Sequence, residues 1–352
     1  KKRFLIFFAF LGIVMTIGLG FVAQGMWPIA LLVYIFATIG FSGANTFYDS
    51  LLNSVSNKKT VDYVSALGYA LGYLGGGILI VINFLMLSSP ESFGLADETA
   101  AIQWSFISVG IWWALFSIPI MLFVEEKRES ETKGIVDAVK EGVAQFKSTF
   151  NEIRHLKVVA TFLLAYWLYI DGVDTTVRMA ANFGINLGFG QTSIMGALVL
   201  VQFVAFFATL LYVKFSDRVG IKNGIYTAIL AYIIIIVGAY FVTEAWHFYI
   251  LAGLIGCFQG GIQTLSRSLY SRIIPKNKSA EFFGFFNMWG KFAAVFGPLL
   301  MGSVTVLINN AIADQELAAR IGFQSIIILL LLGAYVFSKV DLVEGEAMAK
   351  KL

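Results

Sequence analysis

The sequence is poor in every residue type that usually builds a cross-linked, metal-binding or reactive site. It contains one cysteine and two histidines, and only 13% of its 352 residues are charged. The single cysteine, Cys257, excludes an intrachain disulfide, and His155 and His247 lack the spacing of a metal site. The chain carries no helical His–Glu metal motif, no Gly-x-Ser-x-Gly turn and no phosphate-binding glycine loop followed by Lys. We therefore expect no metal, no cofactor and no enzymatic activity.

Apolar residues are what the chain has in excess. They make up 58% of it, and the mean hydropathy is +0.80, whereas soluble domains are closer to half apolar and a quarter charged. Apolar runs of about twenty residues, long enough to cross about 30 Å of hydrocarbon, recur along the whole length. They lack the alternation of barrel strands, so the spans should be helices. These features predict an all-α polytopic membrane protein, and the net charge of +3 gives no indication of a nucleic-acid partner.

The apolar runs and the charges between them predict a membrane topology. Ten spans are expected, at 4–23, 28–50, 63–87, 101–124, 157–180, 192–213, 224–242, 247–272, 280–308 and 320–338. Lys and Arg recur in alternate connections, whereas the loops 24–27, 88–100, 181–191 and 243–247 contain none. Because basic loops face the cytoplasm, we expect both ends of the chain on that side, in a bacterial inner membrane.

One long hydrophilic stretch, 125–156, separates the spans into two groups. Ile135, Val139, Val143, Phe146 and Phe150 recur there at helical spacing among charged residues. We interpret it as an amphipathic cytoplasmic linker that lies on the membrane surface. The expected domains are a bundle at 1–124, the linker, a six-helix bundle at 157–340 and a cytoplasmic tail at 341–352.

An internal repeat relates the two bundles. "FSGANTFYDSLLNSVSNKK" from Phe41 is similar to "FQGGIQTLSRSLYSRIIPKNK" from Phe258, and a glycine-rich span follows each. The offset is about 217 residues, so the chain reads as two copies of one helical unit. The first copy has about four spans and the second about six, which leads us to expect two further helices ahead of Lys1.

Two six-helix halves joined by a cytoplasmic linker are the organisation of the major facilitator superfamily. The hinge "VKFSDRVGIK" resembles that superfamily's signature loop, retaining Asp217, Arg218, Gly220 and Lys222. It departs at Val213, where a glycine is usual, and at Ile221, where an arginine is usual. We expect Asp217 near a helix start, where it would satisfy backbone N–H groups. We also expect a gating role in which Arg218 forms an ion pair with the facing half in one conformation and releases it in the other. The alternative is a solvated basic loop.

Further stretches narrow the resemblance. "SALGYALGYLGGG" from Ser65, "DGVDTTVRMAANFG" from Asp171 and "AEFFGFFNMWGKFAAVFGPLLMG" from Ala280 are similar to the bacterial branch of the autophagy-related vacuolar effluxer family, also called the unknown major facilitator family. The similarity covers essentially the whole chain. It implies a twelve-helix solute transporter, and fungal relatives are associated with amino-acid efflux.

Charged residues inside the spans are the candidate site, since a charge at mid-bilayer costs at least about 2.5 kcal/mol unless it is paired or wet. Asp171, Asp174 and Arg178 share one helix face. Asp174 and Arg178 could form a structural i,i+4 pair. We expect Asp171 to face Lys291, either as a site for a zwitterion or coupling proton or as a static strut between helices.

Other polar residues at comparable depth extend this candidate site: Gln259, Gln263, Asn287 and Asn45. Arg267 is a further candidate for conformational gating, or a side chain that snorkels to the interface. The sequence thus predicts a secondary transporter of a small polar solute, monomeric in its lipid bilayer, with a proton as the candidate coupling ion. The alternative is a membrane scaffold or sensor that transports nothing.

Overall fold

The computed structural model of the protein describes residues 1–125, 148–150, 153 and 155–351. Twelve α-helices are found within these residues. Their bounds are α1 Lys2–Leu19, α2 Trp27–Val55, α3 Val61–Ser88, α4 Glu98–Phe123, α5 Lys157–Asn186, α6 Gln191–Val219, α7 Ile221–Ala239, α8 Ala245–Ile273, α9 Ser279–Ile312, α10 Gln315–Gln324, α11 Ile327–Ser338 and α12 Leu342–Lys351. Short 3₁₀ turns, Pro90–Phe93 and Lys276–Lys278, precede α4 and α9. No strand occurs in the described ranges.

The expected ten spans are confirmed, because ten helical segments are long and apolar enough to cross a membrane. The predicted hinge between the sixth and seventh spans is much shorter than the sequence indicated. α6 continues to Val219 and α7 begins at Ile221, so the reversal takes place at Gly220 alone, with φ of 86°. That left-handed conformation is one that glycine adopts without steric cost. The expectation that Asp217 lies at a helix start is wrong, because Asp217 is in the last turn of α6.

The tenth span consists of two helices, α10 and α11, joined by a turn at Ser325 and Ile326. Arg320 on α10 is only 8% exposed. Its guanidinium donates to the carbonyl oxygens of Tyr240 and Val242 and to the carboxylate of Glu316. A cation at the C-terminal end of α7 satisfies carbonyl groups that have no partner within the helix. Arg320 therefore serves the packing of α7 and α10.

The described residues form two compact units, and the boundary between them falls within α3 and within α9. The first unit contains 1–57, 78–125 and 279–287. Small residues let its helices approach closely: a Cβ placed on Gly40 of α2 would lie 2.6 Å from the Cα of Gly12 on α1. Close backbone contact through glycine is a common way to pack membrane helices, because lipid offers no hydrophobic drive for association.

The second unit contains 58–77, the described residues of 148–278, and 288–351. α5 is its most buried helix and packs on α11, where a Cβ on Gly333 would lie 2.7 Å from the backbone nitrogen of Tyr169. α6 and α8 meet through Gly256, whose added Cβ would lie 2.9 Å from the carbonyl oxygen of Val201. Such contacts hold the polar faces of α5 and α8 inside the unit.

The amphipathic linker lies almost wholly outside the described residues, including Ile135, Val139, Val143 and Phe146, and the expected domain bounds stay a prediction. At the other end of the chain the structure adds a helix, α12, where the sequence indicated only a tail. Gly345 of α12 packs against Ile273 and Val158. Glu346 forms an ion pair of 3.0 Å with Lys58.

Candidate functional site

A hydrogen-bonded network joins the first half of α3 to α8 in the second unit. Arg267 is 4% exposed; its Nε donates to the Ser65 hydroxyl at 2.9 Å and its Nη2 to the Ser65 carbonyl at 2.7 Å. Its guanidinium carbon lies 4.2 Å from the centre of the Tyr69 ring. The alternative in which Arg267 snorkels to the interface is wrong, because the side chain is buried against α3.

The same pair of helices carries an ion pair closer to the end of α8. Asp62, in the first turn of α3, pairs with Arg272 and also accepts from the hydroxyl of Ser268. Both charged side chains are mostly buried, with side-chain exposures of 18% and 24%. A buried ion pair tolerates the loss of neither partner, since the remaining charge is then uncompensated. α3 and α8 are thus held by an ion pair as well as by hydrogen bonds.

Deeper in the unit, α3 and α8 meet through a tyrosine and a glutamine. The Tyr73 hydroxyl donates to Gln263 Oε1 at 2.5 Å. Tyr73 also lies within electrostatic reach of Asp174 on α5 and Tyr232 on α7. The predicted residues Gln263 and Asp174 therefore belong to one polar region, lined from four helices of the second unit.

Asp174 lies at the centre of a charged cluster, which we define as Asp174, Arg178 and Lys291. The carboxylate of Asp174 interacts electrostatically with both cations, and the two cations repel each other. Asp174 is half-buried, whereas Arg178 and Lys291 are exposed. The carboxylate that acts on Lys291 is therefore that of Asp174, rather than that of Asp171 as the sequence suggested.

The carboxylate of Asp171 accepts hydrogen bonds from a backbone amide. It is 1% exposed, and its two oxygens lie 2.9 and 3.1 Å from the amide nitrogen of Gly297 on α9. The Thr175 hydroxyl donates to the same carboxylate at 3.1 Å. Gly297 immediately precedes Pro298, which lacks the N–H that a helix interior normally uses. Asp171 thus joins α5 to α9 beside Pro298, as a static strut between helices would.

The remaining predicted residues are distributed as follows. Gln259 is 9% exposed on α8, and Lys222 donates to the carbonyl oxygen of Val340 at 2.8 Å. Asp217 and Arg218 are exposed in the last turn of α6. Asn45 and Asn287 belong to the first unit, where Asn287 donates to the buried Asp49 at 2.9 Å. Half-buried Asn45 lies one turn before Asp49 on α2.

Comparison with known proteins decides the family. A family model described as "Vacuole effluxer Atg22 like" matches residues 1–350. The chain belongs to this family. It is 38% identical over 315 residues to an MFS-type transporter, YxiO, of Bacillus subtilis, covering 88% of this chain and 72% of that protein. It is 27% identical to autophagy-related protein 22 of Yarrowia lipolytica, over 82% of this chain and 52% of the relative.

Solved structures place this Atg22-like protein in the fold of the major facilitator superfamily, as expected. The Escherichia coli fucose:proton symporter aligns over 94% of this chain and 83% of its own, with a TM-score of 0.64 and 13% identity. A proton:xylose symporter aligns over 99% and 83%, with a TM-score of 0.67 and 14% identity. At identities this low, the similarity shows only that the fold is shared. Family and fold together make the protein a multi-pass membrane transporter.

Several residues of the site in this family member were not predicted from the sequence. Tyr73 and Tyr232 were not singled out, since tyrosines in apolar spans usually read as packing or interface residues. Ser65, Asp62 and Arg272 were also missed. The signal that could have found Asp62 and Ser65 is the start of α3, where "VDYVSALGY" places polar residues between Lys58–Lys59 and an apolar run.

Proposed function

We propose that the protein is a secondary active transporter that carries a small carboxylate-bearing solute, an amino acid or a similar metabolite, by alternating access. The observation that carries this proposal is the cluster of Asp174, Arg178 and Lys291. One carboxylate interacts with two cations inside helices that must cross hydrocarbon. Charged side chains within a span mark solute pathways, and two cations suit the carboxylate of a bound solute.

Alternating access also requires contacts that form in one conformation and break in the other. The α3–α8 contacts of Arg267 and Arg272 are suited to that role, because they join helices through a few directional bonds rather than a broad apolar face. We extend the gating proposal for Arg267 to Arg272, and keep Asp217, Arg218, Gly220 and Lys222 as proposed contributors at the α6–α7 hinge.

We further propose that the protein couples transport to a proton and exports its solute. It would do so as a monomer in a bacterial inner membrane. The alternation of basic connections supports cytoplasmic ends: Lys58 and Lys59 lie between α2 and α3, whereas 89–97 between α3 and α4 contains no Lys or Arg. Proton coupling has two candidate carriers, Asp171 and Asp174, both carboxylates inside a span.

The test is uptake of radiolabelled common amino acids into proteoliposomes, with and without a proton gradient. Lys291→Gln removes one cation from the cluster, and Lys276→Gln is the control, because Lys276 is exposed in the turn before α9. We expect wild-type flux for at least one amino acid, at least a tenfold loss for Lys291→Gln and no change for Lys276→Gln. Binding without flux in the wild type would indicate the alternative, a sensor. Equal flux in both variants would contradict the role of the cluster.

A further inference from the structure

α5 and α9 lie side by side in the second unit and run in the same direction. Near the cytoplasmic half of the pair, a Cβ on Gly290 of α9 would lie 3.5 Å from the hydroxyl of Tyr166 on α5. Further along both helices, Asp171 of α5 accepts from the amide of Gly297 on α9 at 2.9 Å. Later residues of one helix therefore meet later residues of the other, and these two contacts define their register.

This register separates the backbones of Lys291 and Asp174 along the helix axis. Lys291 directly follows Gly290, so its backbone lies close to the level of Tyr166. Asp174 lies about two turns further along α5, which is roughly 11 Å at the pitch of an α-helix. The ammonium of Lys291 nevertheless interacts with the Asp174 carboxylate. The lysine side chain must therefore extend along the axis, and the interaction depends on where α9 lies relative to α5.

Asp171 holds α9 at a position where that helix is weakened. Pro298 lies inside α9 and has no N–H, so the helix loses an internal hydrogen bond there, and a proline inside a helix commonly bends it. Gly297 is the last residue before this proline, and Lys291 lies in the segment that Gly297 ends. The contact between Asp171 and Gly297 therefore fixes against α5 the segment of α9 that carries Lys291.

The surroundings of Asp171 favour contact with the helices over contact with a solute. The residue is 1% exposed, and both of its carboxylate oxygens lie within hydrogen-bonding distance of the Gly297 amide. Oδ1 also accepts from the Thr175 hydroxyl at 3.1 Å. The charge that acts on Asp171 in the described residues is the carboxylate of Asp174 rather than a cation. The hydrogen-bonding capacity of Asp171 is thus used to join α5 to α9.

We infer that Asp171 is a positioning residue, which sets the place of Lys291 relative to Asp174 by holding Gly297 against α5. The inference rests on the proposed role of the charged cluster, and it leaves Asp174 as the candidate proton carrier. Asp171 acts as a hydrogen-bond acceptor in this role, and its charge is not required. An asparagine side chain has the same shape and an acceptor oxygen, so it can replace Asp171, whereas alanine cannot.

The distance between spin labels on α5 and α9 tests the positioning role directly, in the full chain in liposomes. The labels are attached to single cysteines at Leu164 and Phe292, which are 45% and 54% exposed, in a Cys257→Ala background. We expect Asp171→Ala to change the distance by about 1.5 Å or more, the rise of one residue, and Asp171→Asn to leave it unchanged. An unchanged distance in Asp171→Ala, or an equal change in both variants, would overturn the inference.

A double-mutant cycle tests whether Asp171 acts through Lys291. The measured quantity is kcat/KM for uptake of the radiolabelled common amino acids into proteoliposomes. We expect Asp171→Ala to lower kcat/KM about tenfold in the wild-type background, but by less than about twofold in Lys291→Gln, where no lysine remains to be positioned. Asp171→Asn should retain uptake close to that of the wild type.

The outcomes of the cycle separate this inference from the proposed function. Equal losses for Asp171→Ala in the two backgrounds would show a general structural role and overturn the inference while leaving transport intact. Loss of uptake in Asp171→Asn as complete as in Asp171→Ala would show that the charge is needed, which also overturns it. If the wild type moves no amino acid, the proposed function fails, and the label distances still decide whether Asp171 positions α9.

A pair of threonine variants keeps the inference testable if Asp171→Ala does not fold. Thr175→Val removes the hydroxyl that donates to Asp171 and retains the carboxylate. Thr176→Val is the matched control, because the Thr176 hydroxyl donates to the Gly172 carbonyl of its own helix at 2.7 Å. We expect kcat/KM to fall about threefold in Thr175→Val, the effect of one hydrogen bond, and to stay unchanged in Thr176→Val. Equal values in the two variants would contradict the positioning role.

Discussion

Arg267 holds Ser65 through two separate atoms, donating from Nε to its hydroxyl at 2.9 Å and from Nη2 to its carbonyl at 2.7 Å. The planar guanidinium is suited to such a fork, and a lysine cannot reproduce it. The bond to the backbone carbonyl fixes the position of α3 along α8, and the hydroxyl adds to it. This contact makes α3 a partner of α8 in the second unit.

Ser65→Ala should reduce the free energy of unfolding by roughly 0.6 kcal/mol, the average measured for hydrogen bonds between membrane helices, and by no more than the maximum of about 1.7 kcal/mol. Thermal unfolding in detergent is the measurement. Ser105→Ala is the matched control, since the Ser105 hydroxyl donates to the Ala101 carbonyl of its own helix. Equal stabilities for the two variants would mean that the contact adds nothing to the packing of α3 on α8.

Gly297→Ala should lower thermal stability and strongly reduce flux. An added Cβ would overlap the Thr175 hydroxyl and lie 2.6 Å from Asp171 Oδ1, so α5 and α9 would have to separate. Overpacking of this kind costs roughly 1–3 kcal/mol. Gly302→Ala on the same helix is the control, because nothing lies within 4 Å of its added Cβ. A wild-type melting temperature in Gly297→Ala would contradict the close approach.

Gly220→Ala should destabilise the α6–α7 reversal by about 1–2 kcal/mol, the cost of a left-handed backbone in a residue with a Cβ. Gly190→Ala is the control: neither added Cβ has an atom within 4 Å, but Gly190 has φ of −65° and Gly220 has φ of 86°. The difference in melting temperature isolates the backbone effect.

Asp217→Asn tests the proposed gating role of the α6–α7 hinge. We expect this variant to slow flux without changing stability.

Cysteine labelling in intact bacterial cells tests the proposed orientation. Single cysteines at Ser92 and Asn186 should react with a membrane-impermeant reagent, and one at Asn277 should not, since all three positions are exposed. The background is Cys257→Ala, which removes the single native cysteine. Labelling at Asn277 without prior permeabilisation would reverse the proposed topology.

The sequence by itself determined the number of spans and the helical class. Each span must satisfy its own backbone bonds and present an apolar surface to lipid, so the information lies within about twenty consecutive residues. The family resemblance was readable for the same reason, since it rests on contiguous stretches such as the one from Asp171 to Gly184. Asp174, Arg178 and Lys291 were identifiable because charge is rare inside a span.

Only the tertiary structure decided which of these residues meet. Asp171 was expected to face Lys291, but a carboxylate can equally accept backbone N–H bonds, and Gly297 offers one at a contact too close for any side chain. Tyr232 carries no local signal that it belongs to the site, since its approach to Asp174 is apparent only once α5 and α7 pack together. Partner choice depends on which helix faces pack together across distant segments, and that is a property of the assembled bundle.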